Sequence, residues 1–201
     1  MQPGWCLICG STRSHEFART PADPVAIRLN GQDQGSVRFV ICADCGHVYQ
    51  DPMLDAQDLK RLYASDYRPL LEADEQISKE MARGRVICEE LAPLIEPTVR
   101  SRTVLDIGCG SGSFLHAFKE RGWTVFGIDP VPTWTDFVRQ LVGGTAETIV
   151  TGHYGPGVFP GQQFSLILFS HAIEHFPDPI PMLRAMRNHL TNEGTLFVAT
   201  P

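Results

Sequence analysis

The 201-residue sequence lacks long apolar runs, an excess of basic residues and internal repeats. No stretch reaches the roughly 18 apolar residues that a transmembrane helix needs, so we predict no membrane partner. There are 17 Lys and Arg residues against 23 Asp and Glu, and the resulting net charge of −6 argues against a nucleic-acid partner. The first ten residues lack the basic start and apolar stretch of a secretory signal, and we therefore expect a cytoplasmic protein.

Four of the six cysteines form two C-x-x-C-G pairs, Cys6 with Cys9 and Cys42 with Cys45. Because nothing marks the chain for export, this spacing favours a metal site over disulfides. Four thiolates in a tetrahedron suit structural zinc, which needs no open position, and rubredoxin-like iron is the alternative because it uses the same ligands. The surrounding region has little apolar mass, so we expect the metal to supply folding energy.

Composition and pattern divide the chain into three predicted parts. Residues 1–52 form a loop-rich zinc-knuckle region, residues 53–98 a helical connecting segment, and residues 99–201 a domain of alternating strands and helices. Such alternation predicts an α/β fold, with a Rossmann-like and mostly parallel sheet covered by helices on both faces. The predicted strands are 37–41, 103–107, 124–128, 147–150, 164–169 and 195–199, and the predicted helices are 55–63, 73–91 (ended by Pro93 and Pro97), 113–121, 133–142 and 179–190 (ending near residues 192–194).

A glycine-rich turn, VLDIGCGSG at residues 104–112, lies between a predicted strand and a predicted helix. Glycines allow a sharp turn and let a ligand approach the backbone, and the following helix N-terminus favours a carboxylate or phosphate. The spacing is G-x-G-x-G, not the G-x-G-x-x-G of dinucleotide sites, and no Gly-Lys-Ser/Thr of a P-loop follows. Asp106 precedes Gly108 by two residues and would repel a pyrophosphate, whereas it suits a ligand that carries an ammonium group. A nicotinamide-dependent oxidoreductase is the competing interpretation.

The same segment resembles motif I of class I S-adenosylmethionine-dependent methyltransferases. The resemblance implies that Asp106, Gly108, Cys109 and Gly110 hold the amino-acid end of S-adenosylmethionine. It also implies that Asp129, which closes the second strand of this domain, accepts the ribose hydroxyls, as an acid at that position does in other α/β nucleotide sites. The likeness covers about residues 100–201.

The segment FSLILFSHAIEHFPDP, residues 164–179, resembles the fourth-strand motif of the same family. The likeness adds Ser170 to the expected cofactor-binding residues. His171, Glu174 and His175 follow the strand, and we name them as candidate catalytic residues, with a histidine acting as base or the group holding a metal. The alternative is that they cap and pack the following loop.

The segment CADCGHVYQDPMLDAQDLKRLYASDYR, residues 42–68, resembles the N-terminal zinc-knuckle part of bacterial methyltransferases associated with sugar and polysaccharide biosynthesis. This likeness implies a small-molecule substrate, a sugar or a nucleotide-sugar. Tyr67 is a candidate for closing the cofactor site, and its alternative role is packing on a helix edge. A methyltransferase-like binding module without turnover is the second functional hypothesis.

The sheet of the resembled family normally has seven strands, whereas this sequence ends at Pro201, directly after the fifth. We therefore expect an apparently truncated sheet in which strand 195–199 is an exposed edge. Unpaired N–H and C=O groups on an apolar edge are a template for association. The expected outcome is a homodimer joined through this edge or an aggregation-prone monomer, with weak catalysis.

Overall fold

The computed structural model describes residues 4–21, 36–52, 74–173, 176 and 179–200. The chain divides into two compact units, Met1–Arg68 and Pro69–Pro201. The predicted helix at 55–63 lies outside the described residues. None of the described helices combines the length and the apolarity that crossing a membrane requires.

The first unit contains a three-stranded antiparallel sheet in the order β1-β2-β3. Its strands are β1 (Ser14–Thr20), β2 (Val37–Cys42) and β3 (Val48–Gln50). The expectation of a single strand in this region is therefore wrong. Strand β1 is almost entirely exposed, so it lacks the alternation of apolar and polar residues by which a half-buried strand is recognised. Strand β3 has three residues, too few for any periodicity.

The second unit is an α/β domain, and the predicted fold class is confirmed. Its parallel five-stranded sheet has the order β6-β5-β4-β7-β8, and helices lie on both faces. The strands are β4 (Thr103–Ile107), β5 (Thr124–Asp129), β6 (Ile149–Thr151), β7 (Phe164–Ser170) and β8 (Leu190–Ala199), and the helices are α1 (Asp74–Ile95), α2 (Ser113–Glu120), α3 (Pro132–Val142) and α4 (Pro179–His189). Helix α1, all of which falls within the predicted connecting segment, belongs to this unit.

The largest differences from the predicted element ends are at the end of α1 and between α4 and β8. Helix α1 continues through Pro93 to Ile95, because a proline removes only its own N–H and the next donors still find helical carbonyls, as in the bond from Glu96 N–H to Ala92 O. Helix α4 ends at His189, before the predicted stop, because Leu190 already pairs with Phe164 of β7. The register then shifts before Leu166 pairs with Thr195, which absorbs the predicted turn residues into an irregular strand.

Alternate residues of the central strands face opposite sides of the sheet. On β4, Val104 packs in a cluster with α1, α2 and α3, whereas Leu105 packs in a cluster with α4. On β7, Leu166 joins the first cluster and Ile167 the second. Both faces are therefore buried, which explains why these strands have continuous apolar sequences and why polar atoms reach the surface only at the strand ends.

Candidate functional site

The glycine turn lies at the carboxyl end of β4 and joins it to α2. Gly108, Gly110 and Gly112 all have positive φ values, of 77°, 45° and 71°. The N–H groups of Gly108 and Cys109 both donate to Ile128 O of the neighbouring β5, at 2.8 and 3.1 Å. A Cβ on Gly110 would meet no atom within 4 Å, so this part of the turn is open to a ligand. The turn thus has the exposed backbone that a bound cofactor needs.

Asp106, on β4, is 2% exposed, and its Oδ2 atom has no hydrogen-bond partner within the described structure. Burial, with a further contribution from the charge of Asp129, raises the pKa of Asp106 to about 8. A buried polar atom without a partner costs free energy, and buried groups of this kind are expected to have a ligand, an ion or water as partner. The ammonium group of a ligand would give the unpartnered oxygen a partner and would stabilise the ionised form of this carboxyl.

Asp129, at the end of β5, binds the turn directly. Its Oδ2 accepts from the N–H of Gly110 and its Oδ1 from the N–H of Val131, each at 2.9 Å. A carboxylate has about four lone-pair sites, so the carboxylate that accepts these two bonds can also accept hydrogen bonds donated by ribose hydroxyls. The position of Asp129 is therefore compatible with the predicted ribose contact, and the carboxylate has a structural role as well.

The other predicted cofactor residues differ in where they point. The Cys109 side chain is 5% exposed and packs in the first apolar cluster, and burial raises the pKa of its thiol well above the usual value. Its backbone N–H and C=O are bonded to Ile128 and Gly112. Ser170 is half-buried at the end of β7. Tyr67 lies outside the described residues.

His171 directly follows β7 and is exposed at the same end of the sheet. Its φ is 49°, which is unusual for a residue with a side chain, and its N–H donates to Ala199 O at 2.8 Å. The Nε2 atom of the His171 ring lies 2.7 Å from the guanidinium Nη2 of Arg83 on α1. Glu174 and His175, the other candidate catalytic residues, lie outside the described residues.

Sequence reasoning missed three residues that build this region. Arg83 contacts His171, Gly84 lets α1 approach Ser113 so closely that a Cβ there would lie 2.6 Å from its backbone, and Ala172 packs on Gly108. The isolated glycine within the helical pattern of α1 was the available signal, because such a glycine often marks close packing. Nothing in the local sequence indicated the partner of Arg83.

The four paired cysteines of the first unit meet in one cluster. Their Sγ atoms all lie within 4.8 Å of one another, with 3.5 Å between Cys6 and Cys45 and 3.6 Å between Cys9 and Cys42. A disulfide would require about 2.05 Å, whereas thiolates around a tetrahedral zinc at about 2.3 Å are about 3.8 Å apart. The donor set and the spacing therefore fit a metal ion.

The two knuckles have the same backbone hydrogen bonds. Gly10 N–H donates to Cys6 O and Gly46 N–H to Cys42 O, at 2.8 and 3.0 Å. Both glycines have φ near 75°, a conformation that disfavours any side chain. In each knuckle the N–H of the first cysteine donates to the carbonyl of the residue after the glycine, Ser11 or His47. The two knuckles share the same internal geometry, which explains why C-x-x-C-G appears twice in this sequence.

Comparison with known proteins decides the family. The model of the family described as "Methyltransferase domain" matches residues 78–201, which is more than half of the chain. The chain belongs to this family. The family predicted from the glycine turn and the fourth-strand motif is thereby confirmed, and the matched residues include most of α1 together with the whole sheet of the second unit.

The methyltransferase domain is similar to curated enzymes over about half of the chain. It is 34% identical over 103 residues to a ubiquinone biosynthesis O-methyltransferase of Pseudomonas paraeruginosa, covering 49% of this chain and 44% of that protein. An enzyme of the same name from Pseudomonas entomophila is 31% identical over 107 residues, covering 51% and 46%. The chain thus spans about half the length of the curated relatives it matches.

Solved structures share the fold of the domain. The plantazolicin methyltransferase BpumL, in complex with SAH, has a TM-score of 0.51 and 19% sequence identity, with 71% of this chain and 60% of that chain covered. An amino pentose methyltransferase from Micromonospora echinaspora, with SAM bound, has a TM-score of 0.50 and 20% identity, with coverages of 65% and 57%. At these identities, the likeness to the two structures shows a common fold and does not indicate the substrate.

Proposed function

We propose that this chain is an S-adenosylmethionine-dependent methyltransferase that acts on a small molecule. The observation that carries the proposal is the buried Oδ2 of Asp106, which has no partner within the described residues and lies next to the glycine turn. Family membership and the names of the relatives support the same activity. A pyrophosphate would be repelled by this acid, which disfavours the oxidoreductase alternative.

S-adenosylmethionine supplies, when bound, a methyl group that is electrophilic because it is attached to a sulfonium. The protein's task is then to bind, orient and align. Asp106 would pair with the ammonium group, the open backbone at Gly110 would admit the amino-acid end, and Asp129 would accept the ribose hydroxyls. Ligands of open parallel sheets bind at the carboxyl ends of the strands, where all three residues lie.

For the methyl acceptor we propose both the atom that takes the methyl group and the class of molecule. The names of the curated relatives support transfer to oxygen of a small molecule. The likeness of residues 42–68 to sugar-associated methyltransferases supports a sugar or nucleotide-sugar. His171, Glu174 and His175 remain the candidates for proton removal.

We also propose that the cysteine cluster binds one structural zinc ion, with iron as the alternative metal. The tetrahedral donor set of Cys6, Cys9, Cys42 and Cys45 supports this assignment, because four thiolates leave no open position for a substrate. Two further proposals come from the sequence: a cytoplasmic location, and a homodimer joined through β8. Within the described residues β8 pairs with β7 alone, and Val198 on it is 41% exposed.

Calorimetry tests the cofactor proposal. The chain should bind S-adenosylmethionine and S-adenosylhomocysteine, and should not bind NAD. The change Asp129→Ala removes the ribose acceptor and the bonds to Gly110 and Val131, so affinity should fall by about 1.5–3 kcal/mol, the range for hydrogen bonds to charged groups. Asp136→Ala, at an exposed acid on α3, is the matched control and should leave affinity unchanged.

Binding of NAD in place of S-adenosylmethionine would reject the proposal. Unaltered affinity in Asp129→Ala would remove Asp129 from the site. Cofactor binding without methyl transfer to any acceptor, when tested on the full-length protein, would favour the binding-module alternative.

A further inference from the structure

Arg83 on α1 and His171 after β7 form an exposed pair within the second unit, with 2.7 Å between Nη2 and Nε2. A guanidinium has five N–H donors and no acceptor. The nitrogen of His171 in this contact must therefore supply the lone pair, and the ring proton lies on Nδ1. A histidine bonded in this way has no free lone pair with which to accept a proton from a substrate.

The pair as a whole consequently presents donors. Arg83 keeps the N–H groups that do not contact His171, and His171 offers Nδ1–H. Groups of N–H donors that include a guanidinium bind carboxylate and phosphate oxygens through short, charge-assisted hydrogen bonds. The complementary ligand is therefore an anionic oxygen group.

Arg83 also differs from other arginines of this chain. Arg85, Arg121 and Arg139, for example, each form an ion pair with a carboxylate. Among the described residues, no carboxylate lies within ion-pair distance of Arg83, and its hydrogen-bond partner is a histidine. Its positive charge is therefore not balanced by an acid in the described part of the chain.

The backbone of His171 is held in a conformation that a side chain disfavours. Its φ of 49° persists because its N–H bonds to Ala199 O, across the ends of β7 and β8. Residues held in such sparsely populated conformations cluster at active and ligand sites. This observation is independent of the contact with Arg83, and it too indicates a ligand site.

The neighbours of the two residues pack on the glycine turn and on the start of the helix that follows it. A Cβ on Gly108 would lie 3.2 Å from the Cβ of Ala172, which follows His171. A Cβ on Gly84, which follows Arg83, would lie 2.6 Å from the backbone of Ser113, where α2 begins. The pair thus lies beside the turn at which the cofactor is proposed to bind, with His171 next to a residue that packs on the turn and Arg83 next to one that packs on the start of α2.

We propose that Arg83 and His171 bind an anionic oxygen group, a carboxylate or phosphate, of the methyl acceptor. The proposal rests on the proposed methyltransferase function and narrows its substrate class. It gives His171 a binding role in place of its predicted role in proton removal, for which Glu174 and His175 remain the candidates.

The test is a residue-resolved NMR titration of the full chain with two probes, inorganic phosphate and benzoate, at constant ionic strength. The signals followed are those of the His171 ring, in the presence and absence of S-adenosylhomocysteine. We expect saturable shifts in the millimolar range, and the tighter of the two probes shows which anion the site prefers. Ring nitrogen shifts should report the tautomer with the proton on Nδ1.

Arg83→Met removes the guanidinium and keeps an aliphatic side chain. It should raise the dissociation constant of the preferred anion by about tenfold or more, since a charge-assisted bond is lost. Arg187→Met, at an exposed arginine of α4, is the control and should change it by less than about twofold. Backbone spectra of both variants should match the wild type.

Three results would overturn the proposal: no saturable response at His171, equal affinity in Arg83→Met, or a proton on Nε2. Cofactor binding is measured separately by calorimetry on the same samples. Binding of S-adenosylhomocysteine without an anion response refutes this proposal and leaves the methyltransferase function standing. An anion response without cofactor binding refutes the function instead.

Discussion

In the described part of the first unit, the buried apolar cluster consists of Cys6, Val40, Cys42 and Tyr49, whereas the second unit buries a large cluster on each face of its sheet. Half of the smaller cluster is cysteine. In the second unit, β7 alone contributes five apolar residues at 0% exposure, namely Phe164, Leu166, Ile167, Leu168 and Phe169. Each Å² of buried apolar surface contributes about 25 cal/mol to the free energy of unfolding. Apolar burial can therefore stabilise the second unit, and it contributes little to the described part of the first.

Surface ion pairs do not make up for the smaller apolar burial of the first unit. The described part of the first unit has three ion pairs, each with at least one side chain that is more than one-third exposed: Arg13 with Asp44, Arg19 with Glu16, and Arg38 with Asp51. Exposed pairs of this kind contribute at most about 1 kcal/mol each. We therefore propose that the cysteine cluster takes the place of a core in the described part of the first unit. The second unit has enough apolar burial to tolerate Asp106, a buried acid whose Oδ2 has no partner among the described residues.

The largest expected effect is on the first unit. Cys42→Ser removes one of the four thiolates, and since structural zinc supplies about 10–16 kcal/mol of folding free energy in zinc-finger peptides, the first unit should unfold. The second unit should keep its structure. The zinc content should fall below the wild-type value of about one ion per chain. NMR signals should lose their dispersion for residues 4–52 only.

Cys88→Ala is the matched control, because Cys88 is buried in the second unit and lies outside the four-thiol cluster. It should retain the full metal content. A disulfide among the four paired cysteines, or a folded first unit without metal, would contradict the comparison.

The second prediction concerns the apolar core. Leu168→Ala removes a fully buried side chain from β7 and should lower the free energy of unfolding of the second unit by about 2–5 kcal/mol, through lost burial and a cavity. Denaturant titration measures it. Val198→Ala, on the exposed part of β8, should cost less than about 0.5 kcal/mol. Zinc content should be unchanged in both variants; a coupled loss of metal would show that the two units do not fold separately.

The change Asp106→Asn should have opposite effects on cofactor affinity and on the stability of the cofactor-free protein. Without a charge to pair with the ammonium group, affinity for S-adenosylmethionine should fall by about 1.5–3 kcal/mol. The cofactor-free variant should be more stable than the wild type above pH 8, by about 1 kcal/mol or more, because the wild-type chain must bury an ionised carboxylate there. Calorimetry and thermal unfolding measure the two effects. A variant that loses both affinity and stability would refute the assignment.

The last prediction concerns the pH dependence of stability. Because the pKa of Asp106 is raised to about 8 in the folded chain, against about 4 when unfolded, the unfolded chain releases this proton first as pH rises. The free energy of unfolding of the cofactor-free protein should therefore fall between about pH 4 and pH 8, by at most about 1.4 kcal/mol per pH unit from this group. Denaturant titrations across this range, compared with Asp106→Asn, isolate the slope. Equal slopes in the two proteins would argue against a raised pKa.

Local patterns predicted much of this protein. The spacing of the paired cysteines predicted the four-thiol cluster, and the strand, glycine turn and helix around Asp106 predicted the fold and the family. These motifs can be recognised from the sequence because a knuckle and a glycine turn each depend on a few residues close together in the chain. The alternating apolar strands were recognisable for the same reason, since burial on both faces leaves a continuous apolar run.

The tertiary structure alone decided the rest. Exposed strand β1 carries no burial pattern, so its existence depends on pairing with β2, a strand that is distant from it in the sequence. The contact of Arg83 with His171 joins residues 88 positions apart. Asp106 Oδ2 has no partner among the described residues because apolar side chains cover both faces of β4. Hydrogen-bond partners and desolvation are set by which elements meet in space, and sequence spacing does not encode them.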